Sequence, residues 1–233
     1  MQKIQLKPTL SFYCLLVLLF FVSCSNQQTS PSSEPTTSSS DMTETEDEIL
    51  DSKTILFFGN SLTAGYGLEL SDAFPAIIQQ KIDSLGLGYT VINAGLSGET
   101  TADGKSRIDW LLEQKIDIFV LELGANDGLR GVPPTATRNN LKAIIQQVRT
   151  HYPNVKVLLC GMEVPPNLGE TYASAFRTIY KDISDSLNTH FLPFLLDKVA
   201  GEPELNLADG IHPTVEGHKI VAENIWEALR PLL

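Results

Sequence analysis

The stretch that decides the fold reads Phe57-Phe58-Gly59-Asn60-Ser61-Leu62-Thr63-Ala64-Gly65-Tyr66-Gly67, and it continues an apolar run that begins at residue 54. A strand that ends at a glycine delivers the next residues to the carboxyl edge of a sheet, where α/β proteins place their ligands. Ser61 is therefore our candidate nucleophile. Taken alone, the Gly-Asn-Ser tripeptide also fits an ordinary turn in which Asn60 or Ser61 caps a helix. The rest of the chain has to decide between the two interpretations.

Downstream of this stretch, short apolar runs rich in β-branched or aromatic residues alternate with longer segments of helical period. This alternation is typical of an α/β fold with a doubly wound parallel sheet. The predicted strands are 54–59, 89–93, 117–123, 155–160 and 190–193. The predicted helices are 72–84, 101–114, 135–152, 170–188 and 213–229. Right-handed crossovers then place the carboxyl ends of all five strands at one edge of the sheet.

The amino terminus has the pattern of an export signal. Two lysines precede an apolar run over residues 12–22 that is too short to span a bilayer comfortably. The run ends at Cys24 and resembles a bacterial lipobox, with Phe21 at the position where leucine is usual. We expect residues 1–23 to be a lipoprotein signal peptide and Cys24 to carry a lipid that anchors the protein to a bacterial membrane in the cell envelope. A plain secretory signal with an incidental Cys24 is the alternative.

The segment 24–51 consists mainly of Ser, Thr, Pro, Gln and acidic residues. Such a composition buries too little apolar surface to offset the entropy of ordering, so we predict a disordered tether. The remaining residues, 52–233, have the length of one domain with a full core, which we expect to be a monomer. Removal of residues 1–23, whose only charges are two lysines, changes the formal net charge from −11 to −13. An acidic chain of this kind argues against nucleic-acid binding.

The three cysteines leave no pair for a disulfide or a metal site. Cys14 would leave with the signal peptide, and Cys24 would be acylated. Cys160 ends an apolar run, where a lone cysteine is usually a small buried hydrophobic residue. We expect no metal and no cofactor.

Histidine usage singles out one candidate base, since a serine hydroxyl is a poor nucleophile until a neighbouring base takes its proton. His151 and His190 lie at the predicted amino edge, and His218 lies inside the last helix, where a surface or packing role is expected. His212 alone lies in a loop at the edge that carries Ser61. A metal site at 209, 212, 216 and 218 is the weaker interpretation, because no third histidine or cysteine completes a ligand shell.

Asp209 lies three residues before His212 in a turn that contains glycine. From there its carboxylate can reach the imidazole and fix its tautomer, which is the role of the acid in Ser-His-Asp hydrolysis. Acyl transfer also needs donors for the developing oxyanion, and the backbone N–H groups of Ser61 and Gly98 with the side-chain amide of Asn126 provide three candidates. Each of these residues also has an interpretation without a catalytic role. Asp209 would be a turn residue, Gly98 would form a tight turn and Asn126 an Asx turn.

The four loops that carry Ser61, Gly98, Asn126 and His212, in this order and at these separations, resemble the sequence blocks of the SGNH (GDSL-type) hydrolase superfamily. Ser61, Gly98, Asn126 and His212 match the four residues that name it. The similarity extends to Gly65-Tyr66-Gly67, 124–131, Leu192-Pro193-Phe194 and 209–213, which are similar to the bacterial branch of thioesterase I, lysophospholipase L1 and arylesterase. The resemblance covers about residues 54–230 and implies a three-layer α/β/α sandwich of flavodoxin type.

The resemblance implies cofactor-free hydrolysis of acyl esters or thioesters, with a small acyl ester or lysophospholipid as substrate. Ser61, Asp209 and His212 would form the triad, and Ser61, Gly98 and Asn126 the oxyanion hole. The loop 129–134 is expected to line the acyl pocket. An acetyl-glycan esterase is the alternative enzyme, and a lipid-anchored binding domain is the non-enzymatic alternative.

The family usually has Asp before the nucleophile, whereas Asn60 stands here. An amide preserves the acceptor but removes a negative charge, which leaves the pH profile open.

Overall fold

The computed structural model describes residues 52–233, and the predictions on the signal peptide, Cys24 and the tether lie outside this range. The predicted five-stranded parallel sheet is confirmed. Its strands are β1 Lys53–Gly59, β2 Tyr89–Gly95, β3 Ile118–Glu122, β4 Lys156–Cys160 and β5 His190–Leu192. The helices are α1 Ser61–Ala64, α2 Phe74–Ser84, α3 Thr101–Leu111, α4 Ala125–Leu129, α5 Pro134–His151, α6 Glu170–Leu187 and α7 Val215–Leu229. The short helices α1 and α4 were not predicted, because four or five residues are too few for a helical period to show.

The spatial order of the strands is β2-β1-β3-β4-β5, so the chain runs one way from β1 to β2 and the other way from β3 onward. Crossovers of one hand that run in opposite directions place their helices on opposite faces of the sheet. Accordingly, α2 packs with α7, while α3, α5 and α6 pack side by side. The result is a three-layer α/β/α sandwich.

The two central strands account for much of the core. All five residues of β3 and the last five of β1 are buried, because helices cover both faces of these strands. The chain reverses its winding direction at the carboxyl ends of β1 and β3, which is where open α/β sheets form a crevice for ligands. The loops with Ser61 and Asn126 leave the sheet at this point.

Candidate active site

Ser61 is the first residue of α1 and lies at the crevice, with 8% of its surface exposed. Asn60 is the N-cap of this short helix, and its Oδ1 accepts a hydrogen bond from the Leu62 N–H at 2.9 Å. Asn60 therefore caps the helix, and this capping is compatible with a nucleophilic role for Ser61. Capping by the residue before Ser61 orients the serine at the start of the helix.

His212 and Asp209 lie on the loop before α7, and the structure brings both to Ser61. The His212 Nε2 lies 2.9 Å from the Ser61 Oγ, and the His212 Nδ1 lies 2.8 Å from an Asp209 carboxylate oxygen. Because both ring nitrogens of His212 are engaged, the imidazole can accept the serine proton at one nitrogen while the carboxylate holds the other N–H. The three side chains thus form a continuous hydrogen-bonded chain, in which the proton can move between Ser61 and His212 while Asp209 stays ionised.

The loop fixes Asp209 through its own backbone. The second carboxylate oxygen of Asp209 accepts hydrogen bonds from the N–H groups of Ile211 and His212, at 3.0 and 3.1 Å. These bonds, the Ile211 N–H first and then the imidazole, lower the pKa of Asp209 to about 2. Asp209 is therefore ionised at any pH at which an imidazole could act as a base.

Tyr66 packs on the imidazole of His212, with ring centroids 4.6 Å apart at an angle of 39°. Half of the Tyr66 surface is exposed, so the ring covers His212 at the cavity mouth. In the sequence, Tyr66 belongs to the similar motif Gly65-Tyr66-Gly67, which predicts no contact for its ring. Two aromatic rings 146 residues apart have no local signal that would pair them.

Gly98 lies in the loop between β2 and α3 with a φ of +82°, a conformation that glycine adopts without strain. Two arginines hold this loop. The Arg130 guanidinium donates to the Gly98 carbonyl at 3.0 Å, and Arg107 makes a two-pronged ion pair with the buried Glu99 at 2.6 and 2.7 Å. A planar guanidinium that binds both carboxylate oxygens fixes orientation as well as distance. The sequence reasoning did not identify these anchors.

Asn126 lies in the first turn of α4 and faces the same cavity as Ser61. Its side-chain nitrogen donates one hydrogen bond to the Glu99 carbonyl at 3.0 Å, and an amide has a second hydrogen to donate. The next residue, Asp127, is buried and accepts from the Thr101 N–H and hydroxyl at 2.8 and 2.5 Å. Asp127 therefore joins α4 to the start of α3 and faces away from the chemistry.

A cavity of about 620 Å³ opens in front of Ser61 and His212, within the size range of small-molecule sites. Leu129 is the member of the predicted 129–134 loop that lines it. Residues 192–194 and 209–213, two of the similar motifs, contribute to the other apolar walls, which include six side chains without a predicted role. These are Met162, Val164, Pro165, Phe194, Leu196 and Ile211. They come from the connections after β4 and β5 and from the loop that carries His212.

Glu122 is a buried titratable residue in contact with Asn60 and Thr63, on either side of Ser61, and it was not predicted from the sequence. It ends the otherwise apolar strand β3, and 1% of its surface is exposed. Burial raises the pKa of Glu122 to about 7, against the opposing effect of hydrogen bonds from Thr63 and Asn60. A carboxylate at the inner end of a run such as Ile-Phe-Val-Leu-Glu is the signal that could have found it, because isolated buried acids are rare.

His218, on α7, is a packing residue, as expected. Its ring stacks on Phe74 with centroids 5.8 Å apart, and its Nδ1 accepts the Phe74 N–H at 3.1 Å. Burial is the main cause that lowers the pKa of His218 to about 4.

Within residues 52–233, no group of three or more His, Cys, Asp or Glu residues is arranged to hold a metal ion. Every helix in the same range is too short or too polar to cross a membrane.

We expect His218 to make the protein less stable in acid. The unfolded chain takes up a proton near the ordinary histidine pKa of about 6.5, whereas the folded protein does so only near 4. Its contribution is fully present above pH 6.5 and is lost on acidification to pH 4, by roughly 3 kcal/mol at about 1.4 kcal/mol per pKa unit. Urea unfolding from pH 4 to 8 should give a steeper loss for the wild type than for His218→Gln. Parallel curves would contradict this account.

Comparison with known proteins gives a consistent result. The GDSL-like lipase/acylhydrolase family matches residues 57–220. The chain is 40% identical to esterase TesA of Pseudomonas aeruginosa over 182 residues, covering 78% of this chain and 90% of that protein. It is 37% identical to thioesterase 1/protease 1/lysophospholipase L1 of Escherichia coli K12, covering 77% and 85%. A crystal structure of TesA superposes with a TM-score of 0.75 at 40% identity, over 78% of this chain and all of that one. The chain therefore belongs to the GDSL-like lipase/acylhydrolase family and is a carboxylic ester hydrolase.

Proposed function

We propose that this enzyme cleaves acyl esters through a Ser-His-Asp triad. Ser61 Oγ attacks the acyl carbonyl while His212 takes its proton, and His212 then gives the proton to the leaving alcohol or thiol. A water molecule then attacks the acyl-enzyme carbonyl while His212 takes its proton. The bond from the carbonyl carbon to Ser61 Oγ breaks, His212 returns the proton to Ser61 Oγ, and the carboxylic acid leaves. Asp209 stabilises the imidazolium in both halves. The observation that carries the proposal is the unbroken contact from Ser61 through His212 to Asp209, at 2.9 and 2.8 Å, at the mouth of an apolar cavity.

The oxyanion hole in this proposal consists of the N–H groups of Ser61 and Gly98 and the free hydrogen of the Asn126 amide. The start of α1 supports the first donor, since helix N-termini leave N–H groups without partners. The position of Gly98 is supported by Arg130, which binds its carbonyl, and by the ion pair of Arg107 with the next residue, Glu99. The hydrogen bond from Asn126 to the Glu99 carbonyl links the second and third donors.

The apolar walls of the cavity favour an acyl chain as the group that is bound beside Ser61. Apolar side chains gain about 25 cal/mol for each Å² removed from water, and an acetylated glycan offers little such surface. We therefore propose lysophospholipids, aryl or short-chain esters and acyl thioesters as substrates. Purified protein should hydrolyse p-nitrophenyl esters of graded length, lysophospholipid or acyl-CoA faster than acetylated xylan. A preference for acetylated xylan would favour the acetyl-glycan alternative.

We also propose that the enzyme is a lipoprotein of the bacterial cell envelope, anchored through Cys24. Two acyl chains are sufficient for stable membrane attachment, because each buried CH₂ contributes about 0.8 kcal/mol. The support for this proposal is the sequence pattern that ends at Cys24. Residues 25–51 separate the lipidation site from the hydrolase domain, so the active site would act at a distance from the anchor.

Cys24→Ser should release the enzyme from the membrane without loss of hydrolysis. The reason is that the anchor and Ser61 lie on separate segments of the chain. Membrane fractionation with an activity assay provides the measurement, and mass spectrometry of the wild type should show a diacyl or triacyl group on Cys24. An unmodified mature amino terminus at another residue would leave only the plain secretory signal.

A further inference from the structure

The nucleophile loop rests on a buried carboxylate that the proposed mechanism does not use. One Glu122 oxygen accepts the side-chain N–H of Asn60 at 2.7 Å. The other accepts the Asn60 backbone N–H at 3.1 Å and the Thr63 hydroxyl at 2.8 Å. The register of the sheet pairs Glu122 with Gly59, where a Cβ atom would lie 2.5 Å from the carboxylate. Glycine at the end of β1 thus leaves room for the acid directly beneath the loop.

The Asn60 side chain connects this carboxylate to the nucleophile. Its nitrogen faces Glu122, and its oxygen faces the Leu62 N–H at 2.9 Å and the Ser61 Oγ at 3.4 Å. The reversed orientation would place the amide oxygen against the carboxylate and the NH₂ group against the Leu62 N–H. Both ends of a buried amide would then lack a partner, which is costly. Glu122 therefore determines which end of Asn60 the serine meets.

We propose that Glu122 is a positioning residue that orients Ser61 through Asn60. The amide and the carboxylate of this pair can also trade places, with the carboxylate at position 60 and the amide at position 122. The inference rests on the proposed role of Ser61 as nucleophile. The pair holds an acceptor beside the serine hydroxyl and fixes the first turn of α1. In a protein with a carboxylate at position 60, the complementary partner at 122 would be an amide or a protonated acid.

The surroundings allow Glu122 to change its charge near neutral pH, since burial raises its pKa to about 7. The titratable groups that face it are the Cys160 thiol on β4 and the Tyr180 phenol on α6. Burial raises the pKa of both, so both are neutral in this range. The hydrogen-bond donors from Asn60 and Thr63 are neutral as well. Glu122 is thus the group in this cluster that gains or loses a proton near neutral pH. Its ionised form is the one that accepts hydrogen bonds from all three donors.

Glu122→Gln should lower kcat roughly 10- to 100-fold and leave KM within a few-fold, because small displacements of a nucleophile are costly. The introduced amide cannot accept from the Asn60 side chain, the Asn60 N–H and the Thr63 hydroxyl at the same time, since only one of its two ends is an acceptor. Either Asn60 reverses or its backbone N–H loses its partner. The rate of fluorophosphonate labelling of Ser61 should fall in proportion to kcat.

Asn60→Asp alone should remain active. It places two carboxyl groups about 2.7 Å apart, and these would hold one proton between them near neutral pH because the charge of one raises the pKa of the other. Its activity should fall at alkaline pH, where this proton is lost. The double variant Asn60→Asp with Glu122→Gln restores an amide facing a carboxylate with all donors satisfied. It should return kcat to within about five-fold of the wild type and should lack the additional alkaline loss.

Asp117→Asn is the matched control. Asp117 immediately precedes β3, whereas Glu122 ends it. The Asp117 carboxylate also accepts a backbone N–H of β1, that of Thr54 at 2.9 Å, but at the amino edge of the sheet. A structural contribution alone would lower the melting temperature in both Asp117→Asn and Glu122→Gln and leave kcat unchanged. The expected result is that only Glu122→Gln lowers kcat at temperatures well below its melting point.

Unchanged kcat in Glu122→Gln, or a double variant as impaired as that single variant, would overturn the inference. If Glu122→Gln does not fold, the double variant decides: folded, active protein supports exchange of the pair, and failure to fold refutes it. Ser61→Ala separates this inference from the proposed function. Loss of activity in Ser61→Ala with normal kcat in Glu122→Gln would refute only the role of Glu122, whereas activity in Ser61→Ala would refute the nucleophile itself.

Discussion

Ser61→Ala is expected to abolish both ester hydrolysis and labelling by a fluorophosphonate, while the melting temperature changes little. The hydroxyl is the only group removed, and it lies 2.9 Å from the base at the cavity mouth. Loss of a nucleophile of this kind lowers kcat by about 10⁶, and the remaining rate comes from binding and the oxyanion hole. Gel fluorescence after probe treatment, a p-nitrophenyl ester assay and thermal unfolding give the three measurements.

Ser97→Ala is the control for this result, since Ser97 is a second serine that lines the same cavity. It should still be labelled, because the two ring nitrogens of His212 contact Ser61 and Asp209. A probe that reacts with Ser61→Ala but not with Ser97→Ala would move the nucleophile to Ser97. Such a result would also remove the basis of the proposed triad.

Asn126→Ala is expected to lower kcat by about 10²–10³, the usual cost of one oxyanion donor, which corresponds to roughly 2.7–4 kcal/mol. KM should stay within a few-fold, because the amide donates fully only when the carbonyl oxygen gains charge. The fluorophosphonate should still label Ser61, though more slowly. Steady-state kinetics with a p-nitrophenyl ester and the rate of labelling measure the two effects.

Asp127→Asn serves as the neighbouring control. Its carboxylate accepts from Thr101 and cannot donate to an oxyanion, so its loss should lower the melting temperature more than kcat. The assignment of Asn126 would fail if Asn126→Ala had near wild-type turnover or raised KM alone. One structural effect has to be separated here, since Asn126 also donates to the Glu99 carbonyl. Comparable melting temperatures for Asn126→Ala and the wild type would show that the loop persists.

Local patterns in the sequence were sufficient for the architecture. Each of the five strands was predicted within one or two residues of its ends, because buried parallel strands are continuous apolar runs that end at turn residues. The direction of the crossovers then placed the loops with Ser61, Gly98, Asn126 and His212 at one edge. Asp209 was also accessible to local reasoning, since three residues separate it from His212 and both lie on one loop.

The tertiary structure alone decided what surrounds these residues. Glu122 meets Asn60 because β1 and β3 pair in one register, and a shift of one residue would turn the carboxylate to the other face of the sheet. Tyr66 reaches His212, and Arg107 reaches Glu99, through packing between separate elements. The cavity walls combine side chains from connections that lack a periodic pattern. Short sequence blocks thus identify the residues of the candidate site. The side chains that contact these residues depend on pairing between distant segments, which no local periodicity encodes.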